Sequence, residues 1–545
     1  MRYGVTTNLT PETRLALLEG GWDTIRGSVV ITTRMGRPCK VANVRTFSTV
    51  GYGNNFGAHN NDMNNVLRAL YERVYHVAGV EDPGTPQERV GLVPPPNPVV
   101  DRVTMMSKYV TRRLVNRCRK VPPFSREEFL ETYKGRKRGI YERAADAYKL
   151  TIITKQIARL QSFIKCEKVN FSVKPDPAPR IIQPRSPVYG FALGRYIKAI
   201  EHNLFKGISK LFGGKTVMKG MNARQQGRQF RTGWNKFKDP VAIGLDASRF
   251  DQHCSEAILS FEHRIYNQLF RQTASPIERR ELAQLLQYQL DNVGRVYLPN
   301  GVIKYKIKGC RMSGDMNTSC GNCLIMCSLI YFLCVEKNIK TRRLFNNGDD
   351  CTLIIEREDL AKLPEAEIHR WFLEFGYSMK VEQVVDKIEQ ISFCQTSPIW
   401  EGPELNDYVM CRDPRIVLDK DLVTIKDAST VKGHDYYRRA IANSGLSLAG
   451  HLPVFTEFYR MMKRGTSETK QRREDEEISG MLMLSKNMAK RKGAIHPMTR
   501  LSFNEAFNMT PDEQHALEDY YSQQKCAFTE PQIVRTFGQP EHTRR

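Results

Sequence analysis

The segment Asn346-Asn347-Gly348-Asp349-Asp350-Cys351-Thr352 places two carboxylates side by side, between Arg342–Phe345 and the apolar run Leu353–Ile355. Asn-Gly flanked by such runs predicts a tight hairpin. Neighbouring carboxylates at its tip repel each other unless a cation sits between them. A hard ion such as Mg²⁺, for which Mn²⁺ could substitute, takes carboxylate oxygens together with substrate phosphates. Alone, the segment is more often an ordinary turn, because Gly and Asp populate turns readily. Upstream, the apolar run Pro240–Leu245 ends in Asp246-Ala-Ser-Arg-Phe-Asp251, followed by His253 and a helical pattern through Phe270. A strand delivering Asp246 beside the hairpin would bring acids together from two segments. That is the minimum for two metal ions roughly 3.5–4 Å apart that clamp the attacking and leaving oxygens of a phosphoryl transfer. Asp246 as a helix cap is the bland reading, and it is compatible with the metal one.

A third element lies between them. Gly309-Cys-Arg-Met-Ser313-Gly314-Asp-Met-Asn317-Thr318-Ser-Cys-Gly321-Asn322 leads into the apolar run Cys323–Val335. Ser-Gly makes a flexible loop, and Thr318 and Asn322 fall on one helical face. Small hydrogen-bonding side chains there could read a ribose hydroxyl or hold a template base. A Ser/Asn-capped core helix explains the element equally well when it is taken alone.

Asp246-x4-Asp251, Ser313-Gly314-x3-Thr318-x3-Asn322 and Gly348-Asp349-Asp350 resemble motifs A, B and C of viral RNA-dependent RNA polymerases, in order and spacing. Lys165-Cys-Glu-Lys168 through Lys174 and Arg180 to Arg185 resembles motif F, the basic loop over the nucleotide. Together with Asp251-Gln-His253 and Phe393-Cys-Gln395, the wording is similar to the tombusvirus family, the carmovirus and umbravirus type of plant viruses. The resemblance covers roughly residues 60 to 400. It implies an α+β right-hand polymerase whose palm is a small antiparallel sheet backed by helices. Residues 1–60 would be an N-terminal extension, 61–235 fingers, 236–400 palm with a fingers insertion near 271–308, and 401–545 a mainly helical thumb and C-terminal region.

On that reading Asp246 and Asp349 hold two Mg²⁺ ions and Asp350 is a weaker or indirect ligand. One ion activates the 3′-hydroxyl and the other binds the triphosphate. Lys165, Lys168 and Arg180 neutralise phosphate charge, and the planar fork of Arg suits phosphate oxygens. Asp251, Ser313 and Asn322 sense the ribose 2′-hydroxyl, with Thr318 beside them in the nucleotide site. Glu358–Phe375 reads as an amphipathic helix and Glu389–Gln395 as a strand; with Gly376–Glu382 these resemble motifs D and E. A motif D Lys can protonate the leaving pyrophosphate. Its usual place falls near Val384, between Lys380 and Lys387, and Lys380 is taken as that acid.

Composition agrees. The 545 residues carry 83 Lys plus Arg against 59 Asp plus Glu, a net charge of +24, so the surface attracts polyanions. Basic runs at Arg112–Lys120 and Lys134–Arg138 are either a solvated helical surface or the lining of an RNA channel. Thirteen cysteines without a disulfide-like framework point to a reducing compartment. Cys320, Cys323 and Cys327 read as small core residues rather than a metal cluster. The five prolines between 174 and 187 make a stiff arm. Asn60–Val77 reads as a helix, 83–98 as a Pro/Gly linker, 470–477 as a charged loop and 486–492 as a second basic cluster.

No secretory signal opens the chain. Its longest apolar run, Cys323–Val335, falls short of the about 20 residues that span a bilayer. The expected partners are RNA template and product, ribonucleoside triphosphates, and a viral auxiliary replication protein with host factors. The expected location is the host cytoplasm, at membrane-associated replication complexes reached through a partner or an upstream segment; the chain could follow a readthrough or frameshift junction. Two rivals remain. A reverse transcriptase shares the palm acids, but an aromatic and an apolar residue usually precede its paired Asp, where Asn347-Gly348 stand here. A non-enzymatic RNA-binding scaffold explains the charge but not the three spaced acids.

Overall fold

The computed structural model describes residues 16, 19–36, 39, 44–47, 56–78, 92–426, 430–466, 476–488 and 494–526. Most of the 83–98 linker and of the charged loop at 470–477, and residues 489–492 of the second basic cluster, lie outside them.

The strand Pro240–Ala247 is central in a four-stranded antiparallel sheet ordered Arg342–Asn346, Asp350–Glu356, Pro240–Ala247, Met379–Val385. Its unbroken apolar run follows from burial on both faces. Val241, Ile243 and Leu245 pack with Leu344, Leu353 and the helices Pro187–Leu211, Glu256–Phe270 and Thr318–Glu336. Ala242, Phe345 and Ile354 pack on the other side with Phe230 of the helix Ala223–Trp234, and with the C-terminal helices. The alternation of the strand thus feeds two cores, and its polar end carries Asp246 out between them. Ring contact of Phe230 with Phe345, at 4.2 Å between centroids, fixes the hairpin strand to the second core.

The hairpin differs in detail from the expectation. The Asn347 amide donates to the Asp350 carbonyl at 3.0 Å, so the turn is centred on Gly348-Asp349 rather than Asn347-Gly348. Gly348 takes φ +99°, which glycine adopts without cost. Asp349 therefore stands at the tip, and Asp350 opens the returning strand. Helix Thr318–Glu336 runs 19 residues and is long and apolar enough to cross a membrane, beyond the shorter run expected; 83% of that stretch is buried in the protein. Cys320, Cys323 and Cys327 are free thiols inside it.

A second sheet orders Gly21–Thr24, Gly27–Thr33, Gly301–Lys308, Asp291–Leu298 and Leu160–Gln161. Residues near the N-terminus therefore pair with the segment just before Ser313. The basic region, expected to be helical over 101–164, contains the helices Val100–Val115, Arg126–Glu131 and Gly135–Lys149, and beyond Lys149 gives way to turns and the short strands Leu160–Gln161 and Phe163–Ile164. C-terminal helices span Val431–Ala449, Phe455–Lys463, Pro497–Phe507 and Pro511–Gln523.

Three boundaries need correction. The helix expected over 358–375 is a 3₁₀ turn, Arg357–Lys362, and a separate helix, Glu365–Leu373. Pro364 removes a backbone donor and separates them. The strand expected at 389–395 is a 3₁₀ turn and a bend, with φ +52° at Cys394 and +60° at Gln395, before the strand Thr396–Trp400. The helix expected over 60–77 runs Met63–Leu70 and widens to a π-turn, Tyr71–Tyr75.

Candidate active site

Sheet register places the acids. Asp246 pairs with Asp350 on one neighbour and with Lys380 on the other. In an antiparallel pair, opposed residues share a face. Asp349 projects from the turn next to them, and its charge helps raise the Asp246 carboxyl, after burial as the larger cause. Burial, then Asp349, pushes Asp350 up to about 6. Lys380 and Lys174 pull Asp246 the other way.

The basic loop is built as a stalk. Strands Phe163–Ile164 and Ile181–Ile182 pair, and the Lys165 amide donates to the Arg180 carbonyl at 2.8 Å. Lys165 and Arg180 thus begin and end one projecting segment. Its base is anchored: Gln183 donates backbone N–H to the Ser313 carbonyl at 2.6 Å, and its side chain donates to Tyr305 Oη at 2.9 Å. At φ +125°, Gly314 lets its loop approach Pro184, whose nitrogen would lie 3.1 Å from an added Cβ. Arg185 is buried against Asp315 at 2.6 Å and is a structural anchor.

These segments enclose one cavity of about 660 Å³, lined by Lys165, Arg180, Asp246, Asp251, Ser313, Asn322 and Asp349 among others. One wall is anionic and the facing loop cationic. Lys165 meets Glu167 at 2.8 Å, and Arg180 approaches the same carboxylate at 3.6 Å. Such half-exposed pairs are weak and give way to a stronger anion. On the other side, Asn322 Nδ2 donates to Asp251 Oδ1 at 2.8 Å, with the Ser313 hydroxyl also bonding that carboxylate. Burial raises the Asp251 carboxyl, and those bonds with Arg311 oppose the shift.

Four expected members stand outside the cavity lining. Lys168 Nζ donates to the carbonyls of Lys420 and Val423, at 3.1 and 2.9 Å, tying the basic segment to the C-terminal part of the chain rather than to the cavity. Thr318 opens its helix, and its hydroxyl donates to the Met312 carbonyl at 3.0 Å. That bond uses its donor to hold the Ser313 loop. Asp350 and Lys380 also stand outside the lining: Asp350 turns toward the Cys394 thiol, and Lys380 is exposed on its strand.

A model for the viral RNA-dependent RNA polymerase family matches residues 30–529. The chain belongs to that family. It is 42% identical over 491 residues to the RNA-directed RNA polymerase of Tobacco necrosis virus strain A, covering 90% of this chain and 65% of the relative. With that of Turnip crinkle virus it shares 39% over 492 residues, 89% of this chain and 60% of the relative. With that of Tobacco necrosis virus strain D it shares 36% over 544 residues, 95% and 72%. The chain thus spans less than two thirds of the first two relatives.

Like charge also gathers in the cavity of this polymerase-family chain, in part from segments outside the basic loop. Arg73, Lys174 and Arg249 line the cavity, and Arg73 is lowered to about 10 by burial and then by Arg249 and Arg180. Arg73 and Arg249 arrive from a π-turn and from a left-handed residue at φ +48°, neither of which has a periodic signature. Lys174 lay within the basic segment already singled out.

Among the described residues no three His, Cys, Asp or Glu side chains converge as a closed metal cage. Mg²⁺ does not require one, since it keeps waters and substrate phosphates beside one or two carboxylates. Burial, and after it the charge of Asp349, raises the carboxyls of Asp246 and Asp350, and a cation beside them would offset that shift. A raised carboxyl favours its neutral form, and cation and proton compete for it. Calorimetric Mg²⁺ affinity is therefore expected to weaken as pH falls through about 6, the value to which Asp350 is pushed. Affinity unchanged between about pH 7.5 and 5 would detach these carboxylates from metal binding.

Proposed function

We propose that this chain performs template-directed RNA synthesis for a plus-strand RNA virus, by two-metal nucleotidyl transfer. The observation that carries this reading is the single cavity faced by Asp246 and Asp349 on one wall and by Lys165, Lys174 and Arg180 on another. The four-stranded sheet would be the palm, the basic helices and stalk the fingers, and the C-terminal helices the thumb.

Two divalent ions held by Asp246 and Asp349, with Asp350 in support, would supply activation of the 3′-hydroxyl and neutralisation of the triphosphate. The residues of the chain position the substrate, which is most of the catalytic task in phosphoryl transfer. Arg180 grips phosphate oxygens in bidentate fashion, and Lys165 and Lys174 add point charges. Of the two lysines whose charge reaches Asp246, Lys174 lines the cavity and Lys380 does not. Proton donation to the leaving pyrophosphate from Lys380 therefore requires it to swing in from its strand.

Template, product and ribonucleoside triphosphates are the proposed substrates. A replication-complex partner that brings the chain to membranes belongs to the same proposal. The test is incorporation, in Mg²⁺, of the nucleotide complementary to a homopolymeric RNA template. Complementary incorporation abolished by chelator is expected; incorporation indifferent to the template would overturn the reading.

Asp251 and Asn322, with Ser313, form the proposed 2′-hydroxyl sensor. A site built to bond a hydroxyl leaves its own polar groups unpaired when the hydroxyl is missing, which penalises the deoxy analogue. Asn322→Ala is expected to lower kcat/KM for ribonucleotides much more than for deoxyribonucleotides. If Asp251 and Asn322 only brace the fold, both sugars suffer equally and the ratio holds while the protein melts earlier.

A further inference from the structure

Behind Asn322 lies a buried charged relay. Arg311 is 1% exposed and Glu262 is fully buried. The guanidinium Nη2 pairs with Glu262 Oε2, while its Nε donates to Asn322 Oδ1 at 3.1 Å. The other Glu262 oxygen accepts from Asn317 Nδ2 at 2.7 Å, and Asn317 exchanges two bonds with Gln289, at 2.8 and 3.0 Å. Arg311 also donates its backbone N–H to the Asp251 carbonyl at 2.8 Å. Room for this pair exists because residue 321 is glycine: an added Cβ would fall 2.4 Å from Glu262 Oε1 and 2.5 Å from Arg311 Nη2.

An asparagine amide has a donor end and an acceptor end, and turning it over exchanges them. Arg311 Nε–H can only donate, so it accepts the company of the carbonyl oxygen alone. The amide nitrogen is thereby turned toward Asp251, whose carboxylate can only accept when ionised. The reversed amide would set oxygen against oxygen and N–H against N–H inside a desolvated site, losing both bonds. Glu262 supplies the counter-charge without which a guanidinium would not remain buried.

We infer that Arg311, held by Glu262, is a specificity-determining positioning residue: it fixes the amide orientation of Asn322 and through it the carboxylate of Asp251 that meets the ribose. This rests on the reading of Asp251 and Asn322 as the 2′-hydroxyl sensor. Arg311 acts through Asn322, and its loss is felt in sugar choice more than in the rate of the chemistry.

Arg311→Lys tests it. Lysine keeps a charge for Glu262 but has no planar fork to serve Glu262 and Asn322 at once. The measurement is the ratio of kcat/KM for matched ribo- and deoxynucleotides in wild type, Arg311→Lys, Asn322→Ala and the double variant, with thermal midpoints alongside. The ratio is expected to fall about tenfold in Arg311→Lys, the order of one lost hydrogen bond to a charged group, and no further in the double variant than in Asn322→Ala. An unchanged ratio in folded Arg311→Lys, or an additive fall in the double variant, overturns the inference. If Asn322→Ala itself leaves the ratio unchanged, the sensor reading has failed and not only the role of Arg311. Should Arg311→Lys not fold, Gly321→Ala crowds the same guanidinium with one methyl and is expected to narrow the ratio likewise. If neither folds, Arg311 is a folding element and the inference falls.

Discussion

Asp349→Asn, an isosteric change at the turn tip, is expected to lower the elongation rate at least ~10²-fold, or ~2.7 kcal/mol of barrier, while leaving the thermal midpoint unchanged or slightly raised. The turn owes its shape to Gly348 at φ +99° and to the Asn347–Asp350 bond, neither of which involves the Asp349 side chain. Removing its charge relieves repulsion with Asp246 and Asp350, both of which it raises. The fold gains from that relief, and the proposed metal site would lose a charged ligand. Asp246→Asn should behave alike in rate. Single-turnover elongation by the purified variants is the check, and near-normal rates would remove the two-metal assignment.

The second large effect is expected at Arg180. Its side chain is 58% exposed, and its described ion-pair contact is with Glu167 at 3.6 Å, so truncation should cost the fold little. Arg180→Ala is expected to raise the nucleotide KM or lower kcat, with about a tenfold or greater loss in kcat/KM, and to weaken RNA binding far less. Arg180→Lys should restore only part, because a point charge does not reproduce the fork. Steady-state kinetics set beside RNA affinity at fixed salt decide the matter. A loss falling mainly on template affinity would assign Arg180 to the RNA path.

Both predictions concern residues that were visible in the sequence, for a physical reason. Asp246 ends an apolar run, and a run buried on both faces must stop where charge begins; Asp349 follows Asn346-Asn347-Gly348, a turn signal ahead of the apolar run Leu353–Ile355. Arg180 and Lys165 bracket a proline-rich stretch that cannot be helix, so a projecting loop was legible as well. Lys168 and Thr318 fit the same patterns, yet the structure gives their donors to backbone carbonyls, at Lys420 and Val423 and at Met312. Residue type and spacing do not say which acceptor lies nearer across a distant contact. The relay from Glu262 to Arg311 was likewise hidden, because it joins a helix residue to a loop residue through burial and through the missing side chain of Gly321. Arg73 and Arg249 reach the cavity from backbone conformations without a periodic pattern. The split helix at Pro364 could have been read from the proline itself. The bend at Cys394 and Gln395 could not, since neither residue type favours positive φ.

Sugar choice on a homopolymeric RNA template is the deciding measurement for the proposed function. With Mg²⁺ and the purified chain, the complementary ribonucleotide is expected to be incorporated with a kcat/KM at least ~10²-fold above its deoxy counterpart, because Asp251 and Asn322, bonded to each other at 2.8 Å, are proposed to bond the 2′-hydroxyl as well. Preferential incorporation of the deoxynucleotide would make the cavity that of a reverse transcriptase. RNA binding without incorporation of either sugar would make it a scaffold. Either result would overturn the proposed function.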